Sequence, residues 1–241
     1  MRALLVRGML AGLIAAVLAA VFAYAVGEPP VEAAIGLEET GAHEHGPEIV
    51  SRGVQSTIGL LTAVGVYGIA IGGLLAIAFA LAQGRLGTLR PGPTALLLTG
   101  AAFVVVVLVP FLKYPANPPA VGQPGTIGDR TALYFGFLAL SLVFAVAAAV
   151  AGRGIADRFG VTAGAVAGCL AYLVAAGIAG WALPAVNEVP GEFPADVLWS
   201  FRVASLGTQV VLWAVLAVSF GVLVNRLFSA PAANPRARLA R

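Results

Sequence analysis

The chain has 241 residues, 60% of them hydrophobic and only 10% charged, and its mean hydropathy is +0.95. A water-soluble domain carries about 25% charged residues, so this composition excludes one and calls for an integral membrane protein. The single cysteine, Cys169, excludes an internal disulfide and a cysteine metal site. The net charge of +3 and pI near 9.4 do not imply nucleic acid, because the basic residues sit at the ends of apolar runs rather than in one patch.

Six apolar runs are expected to cross as helices. The first, 8–26, follows Arg2 and Arg7 and carries no charge. Ala23-Tyr24-Ala25 resembles a signal-cleavage site, but an apolar stretch of about 19 residues exceeds the roughly 7–15 of a signal core, so retention as a span is expected. The stretch 27–52 follows and holds six of the eleven acids and both histidines: Glu28, Glu32, Glu38, Glu39, Glu44, Glu48, His43 and His45. Run two, 53–82, is broken by the Gly, Pro and Arg residues of 83–93. Run three, 94–112, contains four consecutive valines, Val104 to Val107. A lone strand in lipid would leave its backbone unpaired, so helix is expected there too. Lys113 and Tyr114 form an interfacial pair ahead of a Pro/Gly loop, 115–130. Run four is 131–151, 152–158 reads as a short turn, and run five is 160–182. A polar loop, 183–196, carries Glu188, Glu192 and Asp196. Run six is 197–224.

The expected fold is all-α: a polytopic membrane helix bundle with spans near 4–26, 54–82, 94–112, 131–151, 160–182 and 199–224. These form one transmembrane domain over 1–225, and 226–241 is a basic disordered cytoplasmic tail. Six spans put both termini on one side. That side carries ten of the fourteen basic residues and, of the acids, only Asp157, so the positive-inside rule makes it cytoplasmic. A repeat is also visible: each returning span opens on an arginine, Arg52, Arg130 or Arg202, which suggests a helical hairpin used three times.

His43 and His45 are alternate residues, so in an extended loop their rings point the same way. With Glu44 and Glu48 they offer nitrogen and oxygen ligands suited to a divalent first-row metal. Two histidines are far less specific than a full zinc motif, and a solvated polar loop explains them as well. Glu28 and Glu32 are four apart, and Pro29 suits the first turn of a short helix, which would place both carboxylates on one face. Arg52, Arg130 and Arg202 each begin a helix, where a cation opposes the macrodipole. They are read as structural ion pairs with the acids of the adjoining loops. Gln55, Ser205, Thr208 and Gln209 are expected to bond between helices. The spacings Gly8/Gly12, Gly68/Gly72 and Gly160/Gly164/Gly168 permit close helix approach. No phosphate loop, nucleophile–base set or intramembrane carboxylate is present, so no catalytic residue is assigned.

Gly27-Glu28-Pro29-Pro30-Val31-Glu32, Glu48-Ile49-Val50-Ser51-Arg52-Gly53-Val54-Gln55, Lys113-Tyr114-Pro115-Ala116-Asn117-Pro118-Pro119 and Asp129-Arg130-Thr131-Ala132-Leu133-Tyr134 together resemble the CbtA family of cobalt transporter subunits. The resemblance covers nearly the whole chain, and the Lys-Tyr-Pro-Ala-Asn-Pro-Pro segment is its most distinctive piece. It implies a multi-pass protein of the bacterial inner membrane for cobalt uptake linked to cobalamin synthesis, and a small single-span partner, CbtB. It also implies five spans where six are counted here. The combined expectation is a non-enzymatic subunit among membrane lipid with no permanently bound cofactor and Co²⁺ as cargo. Its metal-capturing residues would be His43, His45, Glu44, Glu48, Glu28 and Glu32. The rival expectation is a membrane scaffold or sensor whose outer loops bind a protein.

Overall fold

The computed structural model describes residues 1–40, 50–85 and 89–229. These residues form six helices long and apolar enough to cross a membrane: α1 (Arg2–Glu38), α2 (Arg52–Ala82), α3 (Pro91–Lys113), α4 (Ile127–Phe159), α5 (Val161–Ala182) and α6 (Ala195–Ser229). No strand occurs among the described residues, and the four valines of α3 are helical. Among the described residues there are thus six candidate spans, where the resemblance implied five. The polytopic helical class is the one its composition demands, because only a helix satisfies its own backbone in lipid.

The contacts divide into two compact units. The first comprises Met1–Ala25, Glu48–Gly100 and Thr208–Arg241. Its central feature is an antiparallel pairing of α1 and α2 through glycine. A Cβ on Gly8 would overlap the carbonyl of Gly72, and one on Gly12 the carbonyl of Gly68. With no side chain at either position the two backbones touch, which is how helices gain packing energy where lipid is as apolar as leucine. Phe79 then meets Phe220 edge-on at 5.5 Å, and Leu212, Leu216 and Val224 complete a closed apolar interior.

The second unit comprises Val26–Pro47 and Ala101–Gly207. Here α4 and α5 pair antiparallel. A Cβ on Gly164 would collide with the carbonyl of Gly152 and, at 2.5 Å, with Cβ of Ala156, while Gly168 faces the Ala148 carbonyl at 3.1 Å. This corrects two expectations. The stretch 152–158 is not a turn but the last two turns of α4, because Gly152 is needed for helix contact. Gly160 takes no part in packing. It is the break itself, at φ +90 and ψ 159, a backbone region open essentially to glycine alone. The second tight pair therefore joins α4 to α5, not the hairpin of α3 with α4 that the arginine repeat suggested. α4 has 33 residues and α5 has 22, about 50 and 33 Å at 1.5 Å per residue. Gly180 lies beside Phe137, so α4 continues roughly two turns past the C-terminal end of α5.

Three π turns interrupt the helices: Ala23–Gly27, Gln55–Gly59 and Val104–Leu108. The first and third precede prolines, Pro29-Pro30 and Pro110, whose missing N–H groups deprive earlier carbonyls of their i+4 donors. α1 nevertheless continues to Glu38, so nearly the first half of the acidic stretch 27–52 is helical rather than loop. α6 continues to Ser229, into the segment read from sequence as tail.

Candidate functional site

The richest polar constellation among the described residues lies in the second unit, where loops 114–126 and 183–194 meet the first turns of α4 and α6. The Lys-Tyr-Pro-Ala-Asn-Pro-Pro segment is its frame. Lys113 Nζ donates to the carbonyl of Leu183 at 2.9 Å, and the Tyr114 hydroxyl donates to the carbonyl of Pro184 at 2.9 Å. Both carbonyls follow the end of α5, where the helix leaves acceptors without donors and carries the negative end of its dipole. An ammonium there is well placed. Burial pushes the Tyr114 phenol above its usual range, so it remains a donor. From α6, Arg202 donates through Nη2 to Asn117 Oδ1 at 2.9 Å and through Nε to the carbonyl of Ala116 at 3.3 Å. The acid partner expected for Arg202 is thus replaced by neutral oxygens of a loop that its proline-rich sequence leaves free of helix bonds.

Arg130 keeps to the expectation of an ion pair. Its Nε lies 3.2 Å from Glu188 Oε2, with the side chains 26% and 11% exposed. The Nε–H does not point along that line, so the contact is coulombic rather than a hydrogen bond. Glu188 also accepts from the backbone N–H of Gln123 at 3.1 Å. Its carboxyl is held below the usual glutamate range, first by the Thr126 hydroxyl, then by the Gln123 N–H and Arg130, with desolvation opposing. The Thr126 hydroxyl is also 2.9 Å from the Gln123 carbonyl, and one proton serves one acceptor at a time. Gly122, at φ +119, lies against the Arg130 guanidinium, which leaves no room for a Cβ.

A lowered carboxylate pKa gives stability that is present above the unfolded value and lost as pH falls through the folded one. The clasp that these bonds form between loops 114–126 and 183–194 is therefore expected to loosen on acidification below the ordinary glutamate range, read as a lower protection factor at the Gln123 amide relative to its intrinsic exchange rate. Glu188→Gln should remove that pH dependence. A Gln123 amide equally acid-sensitive in Glu188→Gln would rule the pair out as its cause.

Deeper in the same unit is a buried hydroxyl pair that sequence reading did not single out. In the π turn of α3, the Val109 N–H bonds the Val104 carbonyl. The next donor in that register would be residue 110, a proline, so the Val105 carbonyl has no backbone partner. Ser141 of α4, 0% exposed, donates to it at 2.7 Å. The Tyr172 hydroxyl of α5 is 2.9 Å from Ser141 Oγ. Since the Ser141 proton goes to Val105, the order is Tyr172 O–H to Ser141, and Ser141 O–H to Val105. The signal available in sequence was a proline inside a span together with a lone serine in the next one. Gln55 and Gln209, expected to bond between helices, instead meet their own segments: Gln55 Nε2 donates to Val50, and Gln209 accepts from Trp213. A cavity of about 660 Å³ adjoins the clasp, lined by Asp129, Ala132, Leu133, Gly136, Phe137, Leu140 and Leu183.

Of the expected metal ligands, Glu28 and Glu32 sit one turn apart on the extension of α1, the first half-buried and the second exposed, so they do share a helix face. His43, Glu44, His45 and Glu48 lie outside the described residues. Among the described residues, no three His, Cys, Asp or Glu side chains gather in a set that could hold a metal ion.

The family described as "Probable cobalt transporter subunit (CbtA)" matches residues 1–225, nearly the whole chain. The chain belongs to the CbtA family. No curated protein and no solved structure matches it. The match takes in all the spans but the last residues of α6, and within it the clasp of this CbtA protein rests on Lys113, Tyr114, Asn117, Arg130 and Arg202.

Proposed function

We propose that this CbtA protein is the membrane-embedded component of a cobalt uptake system in the bacterial inner membrane. Both termini are cytoplasmic, and the protein works with a single-span CbtB partner to feed cobalamin synthesis. It performs no covalent chemistry. His43, His45, Glu44 and Glu48 collect Co²⁺ weakly on the outer face, with Glu28 and Glu32 nearer the membrane, and no cofactor is held permanently. The observation that carries this reading is the family match over 1–225 on a six-helix chain. Supporting it are the concentration of acids and both histidines in one stretch and the acidic surplus on the face away from the arginine-rich ends.

Weak binding suits the role, because a transported ion must also leave. Neutral imidazole is the ligand, so capture should fade as pH falls through about 6.5. His43→Ala combined with His45→Ala is expected to raise the cobalt concentration for half-maximal uptake, in cells that also make the partner, without lowering the amount of folded protein. Unchanged uptake at limiting cobalt would discard the histidines and leave Glu28 and Glu32. Orientation is tested separately. In a Cys169→Ser background, His43→Cys should react with an impermeant maleimide from outside intact cells, and Gly154→Cys should not. The reverse pattern would refute the topology.

A further inference from the structure

The chain has three tryptophans, and their surroundings set two of them apart. Trp213 is buried at 5% exposure and donates its indole N–H to Gln209. Trp181 and Trp199, both in the second unit, are 88% and 70% exposed, and neither indole N–H has a partner among the described residues. Such a side chain is poorly served by hydrocarbon, where nothing accepts its proton, and by water, where its ring is apolar. Both rings stand at the clasp end. Trp181 is in the last turn of α5, two residues before the Leu183 carbonyl that Lys113 holds, and Trp199 is one turn before Arg202 in α6.

Helix lengths set the level of that end. α5 has 22 residues, about 33 Å, close to the ~30 Å of a bilayer's hydrocarbon core. Between its ends Val166, Leu170, Leu173, Val174 and Ile178 are exposed and apolar. Phe137 of α4 is level with Gly180, so Asp129 lies about 12 Å further out along α4. A headgroup layer is only about 5–7 Å thick on each side. Asp129 and its neighbour Arg130 therefore stand beyond the hydrocarbon, as the cost of placing charge in it demands.

We propose that Trp181 and Trp199 anchor the clasp end of this unit in the phospholipid headgroup layer. Their rings rest on the upper acyl chains and their N–H groups donate to lipid ester or phosphate oxygens. The hydrocarbon boundary then runs level with Phe137, and the clasp stands outside it. The groove along α4 straddles that boundary, with Leu140 in hydrocarbon and Asp129 in water. This anchoring is independent of the cargo and of which way the chain faces.

The test uses the full chain in phosphatidylcholine vesicles whose acyl chains carry bromine either next to the ester or near the methyl end. Tryptophan emission is expected to fall more with bromine next to the ester. That excess should be lost in the Trp181→Phe, Trp199→Phe double variant, which keeps two apolar rings and leaves the buried Trp213 to report folding. Equal or stronger quenching by the methyl-end bromine would overturn the anchor. So would an excess that persists in the double variant, or quenching by aqueous iodide with none by either lipid. The boundary is read separately, in a Cys169→Ser background. A nitroxide on Leu140→Cys should be relaxed mainly by dissolved oxygen, and one on Asp129→Cys mainly by a water-soluble nickel chelate. Both labels reporting the same phase would overturn a boundary at Phe137.

Discussion

Gly12→Leu is expected to prevent this chain from accumulating as folded protein. A Cβ at residue 12 would overlap the Gly68 carbonyl oxygen and stand 2.8 Å from the Gly68 carbonyl carbon and 3.3 Å from Gly72 Cα. Every one of those atoms is backbone, so no rotamer change can relieve the clash. Ordinary overpacking of a core costs about 1–3 kcal/mol because side chains and neighbours shift. Here the only relief is separation of α1 from α2, which forfeits the whole pairing that includes Gly8 against Gly72. Gly65→Leu is the control, on the same α2 but with nothing within 4 Å of an added Cβ. Size-exclusion profiles and thermal unfolding in detergent should show Gly65→Leu close to the parent and Gly12→Leu aggregated or missing. Equal behaviour would mean that the glycine faces do not touch. Gly164→Leu against Leu170→Ile makes the same comparison at the α4–α5 pair, since Gly164 faces Gly152 and Ala156 while Leu170 is exposed.

Ser141→Ala is expected to give the next largest loss, about 1–3 kcal/mol for each buried group left unsatisfied. It orphans two groups at once, the Val105 carbonyl and the Tyr172 hydroxyl. Tyr172→Phe should cost less, because Ser141 still serves Val105 and no buried polar group is stranded. Adding Tyr172→Phe to Ser141→Ala should recover part of the loss, since it removes one of the two orphans. This non-additivity distinguishes a directional relay from two independent contacts. If Tyr172→Phe were as damaging as Ser141→Ala, the bond order Tyr172 to Ser141 to Val105 would be wrong.

The number and order of the spans follow from residues that lipid treats alike, so apolar length alone locates them. The packing glycines were legible for the same reason. At Gly8, Gly12, Gly68, Gly72, Gly164 and Gly168 the four-residue spacing is a direct statement about one helix face. The same spacing misled at Gly160, because a glycine in series with packing glycines can equally be a left-handed break, and only the backbone angle tells them apart. Gly152 misled in the other direction, since a Gly-Arg-Gly stretch looks like a turn until its partner across the pair is known. Arg130 found an acid as local charge suggested, whereas Arg202 found Asn117 and a carbonyl. Proline-rich loops expose carbonyl oxygens that no charge count registers. The Ser141–Tyr172 pair escaped because its cause is a missing proton: Pro110 creates a need 31 residues away from the hydroxyl that meets it. The described residues bring no metal-binding cluster together, and the stretch where histidines and acids concentrate, His43 to Glu48, is outside them. Chemistry, not placement, therefore carries the proposed capture site.

We propose that this CbtA chain moves cobalt across a membrane together with a partner subunit. The most direct measurement is accumulation of radioactive cobalt in sealed vesicles that contain the purified chain together with the partner subunit, compared with vesicles holding either protein alone. Saturable cobalt accumulation is expected with both proteins present, with a right-shifted concentration dependence for the His43→Ala, His45→Ala double variant, and little or no accumulation with one protein alone. Cobalt content equal to that of protein-free vesicles, from protein that remains folded and paired, would contradict it and leave the scaffold or sensor reading in its place.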